Sequence, residues 1–211
     1  MRHSLRAVLA ALLVAGGVGA VLVSRHTSSG RVDRAAGAAP ITAAPGELAV
    51  VPVLDEGPAP SVQGGAGWLN APASDGPSLA GAVVLYEFFD VRCANCQHVD
   101  PYVVAWYERY HADGLEIVAI HTPEQIEDIP STEVAAYLLH HRIAYPVVLD
   151  PDRVIWRAWD NHAWPSFSLY DEQGRLRHHH IGEGQYAATE DAIRAVLGVD
   201  PASPRAEVPG G

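Results

Sequence analysis

A pair of cysteines separated by two residues, between a buried strand and a helix, constrains this fold more than any other feature. Cys93 and Cys96 are the only cysteines in the sequence. The segment before them, 83–89, is apolar except for Glu87, which is typical of a strand buried on both faces. Apolar residues then recur at helical spacing up to Tyr110. The sequence therefore predicts that the cysteines lie where a core strand gives way to a helix.

This position predicts redox chemistry. The amino end of a helix presents unpaired N–H groups and the positive end of the helix dipole, both of which stabilise a thiolate. Two intervening residues allow the second sulfur to reach the first and to resolve a mixed disulfide. We therefore expect Cys93 to be the attacking, more exposed thiol and Cys96 to be the resolving thiol. The alternatives are half of a metal site, which would need further ligands, or an inert disulfide.

Composition limits the class of partner. The chain has 211 residues with a hydrophobic content of 48%, enough for one folded domain with additional segments. Its formal net charge is −11. Nucleic-acid phosphates require basic contacts, so this balance argues against a nucleic-acid partner.

The chain is predicted to have four parts. An apolar run, 7–23, follows Arg2 and Arg6 and indicates a membrane anchor or a long signal segment. We expect a single N-terminal span that places the rest outside the cytoplasm, or secretion after signal cleavage as the alternative. The parts are an anchor or signal (1–24), an Ala/Gly/Pro-rich linker (25–57), a folded domain (58–199) and a flexible tail (200–211).

Strand and helix patterns alternate within the folded domain. This order is typical of an α/β fold in which helices cover both faces of a mixed sheet. The hairpin at its end is indicated by the turn 171–174. Beyond the strand and helix around the cysteines, the predicted strands are 115–121, 145–149, 166–170 and 176–181, and the predicted helices are 131–141, 154–159 and 189–197.

Four segments carry a family resemblance: YEFFDVRCANCQHVDPYVVAWYERY (86–110), IHTPE (120–124), YPVVLD (145–150) and HHHIGEGQY (178–186). With them, 58–197 resembles the thioredoxin-like domain of the TlpA, ResA and DipZ group of extracytoplasmic redox proteins, in particular the DipZ type. The resemblance implies a thioredoxin-like fold with an inserted helix, which the predicted helix 131–141 fits.

The resemblance also implies roles for single residues. Glu87 matches a buried acid beneath the disulfide, which would accept the Cys96 proton; the alternative is a strand residue whose carboxylate reaches solvent. Trp164 and Pro165 match a cis-proline segment that binds extended substrate; the alternative is an ordinary trans proline that begins a strand. Pro101 matches a proline that kinks the active-site helix.

Three neighbours of the cysteines bear on their reactivity: one departs from the family pattern, and two lie between the cysteines. Arg92 stands where many relatives have an aromatic or small residue, and its cation would favour a Cys93 thiolate if the side chain pointed that way. Ala94 and Asn95 lie between the cysteines, where the identity of the residues tunes the redox potential.

The function that the resemblance implies is exchange of dithiol and disulfide with exported proteins, with no cofactor beyond the Cys93–Cys96 disulfide. It implies a reductant, with the haem-site cysteines of apocytochrome c as one substrate, served by a membrane electron donor or acceptor; the residues leave the redox direction open. One alternative is copper binding or delivery through Cys93, Cys96 and a histidine, although the usual spacing for that is C-x-x-x-C. Another is a peroxidase, although the Thr-x-x-Cys context of a peroxidatic cysteine is absent.

Overall fold

A computed structural model describes residues 54, 57–72, 74–125 and 129–209. The predicted anchor or signal, 1–24, and nearly all of the predicted linker, 25–57, lie outside the described residues. Within the described ranges, no helix has the length and apolar character needed to cross a membrane.

The described residues form one six-stranded sheet with helices packed against it. The strand order is β1-β4-β3-β2-β5-β6. The elements are β1 (Gly67–Leu69), β2 (Val83–Phe89), α1 (Ala94–Tyr110), β3 (Leu115–His121), α2 (Ser131–His140), β4 (Val147–Leu149), α3 (Val154–Ala158), β5 (Ser166–Tyr170), β6 (Leu176–Ile181) and α4 (Tyr186–Leu197).

Strand β2 lies inside the sheet and organises it. It pairs in parallel with β3 and antiparallel with β5. A parallel pair cannot be joined by a tight turn, so the chain crosses from β2 to β3 through α1. The antiparallel pair β5–β6 is the predicted hairpin. The mixed sheet and the inserted helix α2 confirm the predicted fold, whereas the short edge strand β1 and the earlier start of α4 were not predicted.

The alternation of side chains along β2 divides the core into two layers. Val83, Leu85 and Phe89 pack in one cluster with residues of α1, α2 and α4. The intervening residues of β2 pack in a second cluster that includes Ile155 of α3. Because side chains alternate along a strand, Glu87 projects into the first layer, beneath α1.

The described part of the C-terminal segment, predicted as a flexible tail (200–211), makes hydrogen bonds with helix α4. Arg194 of α4 is 6% exposed. Its guanidinium donates to the backbone carbonyls of four residues, at distances of 3.0 to 3.2 Å. The Glu190 carboxylate accepts from the Ala206 N–H at 2.8 Å. The backbone carbonyls of this proline-rich segment, which pairs with no strand in the described ranges, thus accept hydrogen bonds from a buried cation. The four carbonyls belong to Asp200, Pro201, Ser203 and Pro204.

We expect Arg194→Met to lower the free energy of unfolding by about 2 kcal/mol, since it removes charge-assisted hydrogen bonds from a buried guanidinium to backbone carbonyls. Urea denaturation of the purified domain would measure the loss. Arg157→Met is the matched control, because Arg157 is an exposed arginine on α3. Equal stability of the two variants would contradict a docked C-terminal segment.

Candidate active site

The cysteine pair begins helix α1. Cys93 is the N-cap residue, with extended backbone angles of φ −81° and ψ 116°. The Cys96 N–H donates to the Cys93 sulfur at 3.4 Å, and both cysteines are free thiols in this structure. The Cys93 sulfur therefore lies at the unpaired N–H groups of the helix start, as the sequence predicted. A negative charge on this sulfur is stabilised there by the helix dipole.

The two thiols have different surroundings. Cys93 is 8% exposed, whereas Cys96 is 0% exposed. Burial raises the pKa of the Cys96 thiol, and the hydrogen bond with Cys93 and the nearby Glu87 carboxylate raise it further. Both cysteines are thus buried, but only Cys93 keeps a small exposed fraction, and Cys96 needs a base before it can act as a nucleophile.

Glu87 is buried directly beneath this pair. It is 1% exposed, and its Oε2 accepts a long hydrogen bond from the Tyr145 hydroxyl at 3.4 Å. Burial raises the pKa of the Glu87 carboxyl well above its usual range, and the negative charge of Asp100 raises it further. The predicted burial of Glu87 is confirmed, and a carboxylate that reaches solvent is excluded. Its role as proton acceptor stays a prediction.

A second buried acid, Asp100, was missed by the sequence analysis. It is 1% exposed, and its Oδ2 accepts from the Tyr137 hydroxyl. The same oxygen lies 2.7 Å from Nδ1 of His141. Burial raises the pKa of the Asp100 carboxyl to about 6, although the Tyr137 hydrogen bond lowers it. The spacing of Asp100 could have indicated its burial, because a residue four positions after Cys96 lies on the same face of the helix as Cys96.

Asp90 holds the loop that precedes Cys93. One carboxylate oxygen accepts from the Arg92 N–H at 3.0 Å and the other from the Glu124 N–H at 2.8 Å. Burial opposes its ionisation, but the His121 ring, whose Nε2 lies 3.6 Å from Oδ1, and the hydrogen bonds from the two backbone N–H groups keep the pKa of Asp90 below its ordinary value. This charged group joins the end of β2 to the segment after β3, which fixes the start of α1.

Trp164 and Pro165 are linked by a cis peptide bond, as the resemblance implied. The Trp164 indole N–H donates to the Thr122 carbonyl at 2.9 Å. Its ring stacks on Trp156, with ring centroids 4.0 Å apart, and the Arg153 guanidinium lies 5.3 Å from its centre. The Trp164 side chain is therefore held in one orientation. Pro101 lies inside α1.

The Arg92 side chain points towards helix α2. Its Nε and Nη2 atoms donate to the two carboxylate oxygens of Glu133, at 3.1 and 3.2 Å. Arg92 was expected to favour a Cys93 thiolate if its guanidinium pointed at the sulfur. In the structure the guanidinium forms an ion pair with Glu133. Ala94 and Asn95 are exposed in the first turn of α1, next to Cys93. They are available to contact a substrate.

No cluster of three or more His, Cys, Asp or Glu side chains suited to a metal ion occurs in the ranges that the structure describes.

Comparison with known proteins agrees with this geometry. Residues 74–179 match the model of the AhpC/TSA family. The chain is 41% identical over 145 residues to the protein DipZ of Mycobacterium bovis. The matched region covers 67% of this chain but only 21% of DipZ. It is 26% identical over 140 residues to the thiol-disulfide oxidoreductase YkuV of Bacillus subtilis, covering 66% of this chain and 94% of YkuV. The chain thus spans about a fifth of DipZ and nearly all of YkuV.

A solved structure gives the same result for the fold. The chain is similar to a thioredoxin-like protein whose solution structure was determined in the oxidised form, with a TM-score of 0.59 and 27% identity. The similarity covers 67% of this chain and 95% of that protein. The thioredoxin-like fold predicted from the sequence is confirmed.

We expect Glu87→Gln to stabilise the protein more strongly as the pH rises. The pKa of Glu87 is higher in the folded protein than its ordinary value of 4.5, so the folded state keeps a proton that the unfolded chain releases. The stability linked to this proton is complete below the unfolded pKa and is lost as the pH rises towards the folded pKa. Each pH unit in this window should add at most about 1.4 kcal/mol to the difference between variant and wild type.

Urea denaturation between about pH 4 and pH 8 would measure this difference. The control is Glu172→Gln, at an exposed carboxyl in the β5–β6 turn. A difference between Glu87→Gln and wild type that stays constant over this range would contradict a buried, protonated Glu87.

Proposed function

Because this chain belongs to the AhpC/TSA family and has the thioredoxin-like fold, we propose that it is a thiol–disulfide oxidoreductase acting on exported proteins. The observation that carries the proposal is the pair of unlike thiols at the start of α1. Cys93 is accessible beside the helix N-terminus, and Cys96 is sealed above a buried acid. This arrangement suits one thiol that attacks and a second that resolves.

The first step is attack by the Cys93 thiolate on a substrate disulfide. A bond forms between the Cys93 sulfur and one substrate sulfur, the substrate S–S bond breaks, and the second substrate sulfur leaves as a thiolate. The helix N-terminus stabilises the attacking anion, and the Cys96 N–H at 3.4 Å contributes a direct hydrogen bond. The chain and the substrate are then joined by a mixed disulfide.

The second step is resolution by Cys96. Its proton leaves, its sulfur bonds to the Cys93 sulfur, and the remaining substrate sulfur departs as a thiolate. Glu87 would take this proton, since its carboxyl lies close enough to raise the pKa of Cys96. The raised pKa of Glu87 makes its carboxylate a stronger base than an exposed one, but it also makes the ionised form scarcer at neutral pH.

The substrate would bind beside Trp164 and Pro165, where the indole held by the Thr122 carbonyl offers a fixed surface to an extended chain. We propose that the exchange runs in the reducing direction, with haem-site cysteines of apocytochrome c as one substrate and a membrane electron donor as the source of electrons. The TlpA, ResA and DipZ resemblance supports this assignment. The apolar run 7–23 supports attachment to the membrane with the domain outside the cytoplasm.

We expect Cys96→Ser to accumulate a mixed disulfide through Cys93, because attack is kept and resolution is blocked. Mass spectrometry of the non-reduced protein, after reaction with a disulfide peptide, would identify the linked cysteine. In the reduced wild type, an alkylating reagent should modify Cys93 before Cys96, which is 0% exposed. Cys93→Ser is the control and should trap no peptide; a peptide trapped on Cys96 would reverse the assignment.

We expect alkaline phosphatase fused after Gly211 to be active in a bacterial host, because this reporter folds only outside the cytoplasm. This fusion point keeps the contacts of Arg194 with the residues after α4. The same fusion to residues 58–211, without the apolar run, is the control and should be inactive. A stable but inactive full-length fusion would contradict export of the domain.

A further inference from the structure

Two buried carboxyl groups lie beneath the cysteine pair, and each has an unsatisfied oxygen. Glu87 and Asp100 are both 1% exposed. Oε1 of Glu87 and Oδ1 of Asp100 have no hydrogen-bond partner among the described residues. Two negative charges in an apolar core repel each other strongly, so one of two such neighbouring carboxyls keeps a proton. We call Glu87 and Asp100 the acid pair.

The surroundings place the single charge of the acid pair on Asp100. Its Oδ2 receives the Tyr137 hydroxyl and lies 2.7 Å from Nδ1 of His141. Glu87 has one long hydrogen bond, from Tyr145 at 3.4 Å. Hydrogen bonds to a carboxylate favour its charged form, so Asp100 is the better site for the charge. At neutral pH the carboxylate that can accept a proton is therefore Asp100, while Glu87 is the neutral member.

The acid pair connects to solvent through His141. The side chain of Asp100 is 2% exposed, whereas that of His141 is 22% exposed. An imidazole can receive a proton at one ring nitrogen and release another from the second nitrogen. Burial lowers the pKa of His141, and the neighbouring His140 lowers it further, so the ring is neutral and able to accept at neutral pH.

The other ionisable groups around the acid pair come from three elements. Helix α1 contributes Cys96, whose pKa is raised by Glu87. Helix α2 contributes Tyr137, and the segment before β4 contributes Tyr145. Burial raises the pKa of both hydroxyls, and the negative charge of the acid pair raises it further, so they remain protonated and act as hydrogen-bond donors.

We propose that Asp100 and His141 form a relay that stores the proton of Cys96 during resolution and releases it to solvent. The Cys96 S–H bond breaks, Glu87 takes this proton as its own proton passes to Asp100, and the Cys96 thiolate attacks the mixed disulfide. While Asp100 is charged, Nδ1 of His141 carries the ring proton that faces it. Once Asp100 is neutral, the ring proton moves from Nδ1 to Nε2 through water, Asp100 gives its proton to Nδ1, and Nε2 releases its proton to solvent. This relay rests on the proposed function, because it serves the resolution step of the same site.

The test is the pH dependence of resolution, measured with the full chain in single-turnover stopped-flow reactions with a disulfide peptide. Asp100→Asn keeps an acceptor for the Tyr137 hydroxyl but cannot store a proton. It should leave attack by Cys93 unchanged and slow resolution at neutral pH by at least about ten-fold. His141→Asn should also slow resolution, and imidazole added to the buffer should restore part of the rate, which a purely structural role of His141 would not allow.

Two further variants make the test specific. His98→Asn is the control, because His98 is an exposed histidine on α1 that contacts Glu183, and resolution should be unchanged. Tyr137→Phe removes the hydroxyl that lowers the pKa of Asp100, so the rise of the resolution rate with pH should shift to higher pH. If Asp100→Asn fails to fold, this shift of the pH profile is the measurement that tests the role of Asp100 in the relay.

Wild-type resolution rates in Asp100→Asn, an unshifted profile in Tyr137→Phe, or no effect of imidazole on a slowed His141→Asn would overturn the relay. In these cases a mixed disulfide trapped by Cys96→Ser would show that the oxidoreductase proposal still stands. If Cys96→Ser traps nothing, both proposals fail together.

Discussion

The burial of Glu87 in β2 is the constraint on which the arrangement of the site depends. Strand β2 is paired with β3 on one side and β5 on the other, so its backbone has no freedom to turn the carboxyl towards water. A charged carboxylate in this apolar layer is unfavourable, and the group responds by keeping its proton. The core therefore contains a weak acid below the cysteines, and its protonation state is coupled to that of the Cys96 thiol.

The junction between β2 and α1 gives two chemically similar residues different properties. Asp90 binds the N–H groups on both sides of the loop and fixes where the helix starts. Cys93 then falls at the N-cap, beside unpaired donors, and Cys96 falls one turn later, inside the core. The difference between an attacking and a resolving thiol thus follows from the position at which helix α1 begins. This difference does not depend on a particular residue next to either cysteine in the sequence.

The sequence contained the elements of the fold but not the contacts that join distant segments. Apolar runs and turn residues predicted β2, the β5–β6 hairpin and the helix after the cysteines, because these signals are local. The cis bond before Pro165 required a family resemblance, since most such bonds are trans. The pairing of Arg92 with Glu133, 41 residues away, has no local signal.

Asp100 and the C-terminal segment were missed for a related reason. An aspartate in a helix that follows a functional motif is usually a solvated surface residue, and only the packing of α2 against α1 makes it buried. A segment rich in proline and alanine is typical of a loose tail. In this chain the buried guanidinium of Arg194 binds its carbonyls, and an arginine near a helix end gives no indication of such a partner.

Helix α2 explains how these separate contacts become one system. Glu133, Tyr137 and His141 are spaced four residues apart, and residues four apart lie along one face of a helix. Glu133 binds Arg92 next to the first cysteine, and the other two bind Asp100 four residues beyond the second. One polar stripe on the inserted helix therefore contacts α1 on both sides of the cysteine pair. A movement of α2 that breaks one of these contacts changes the other, so the position of the active-site helix and the charge stored beneath it are linked.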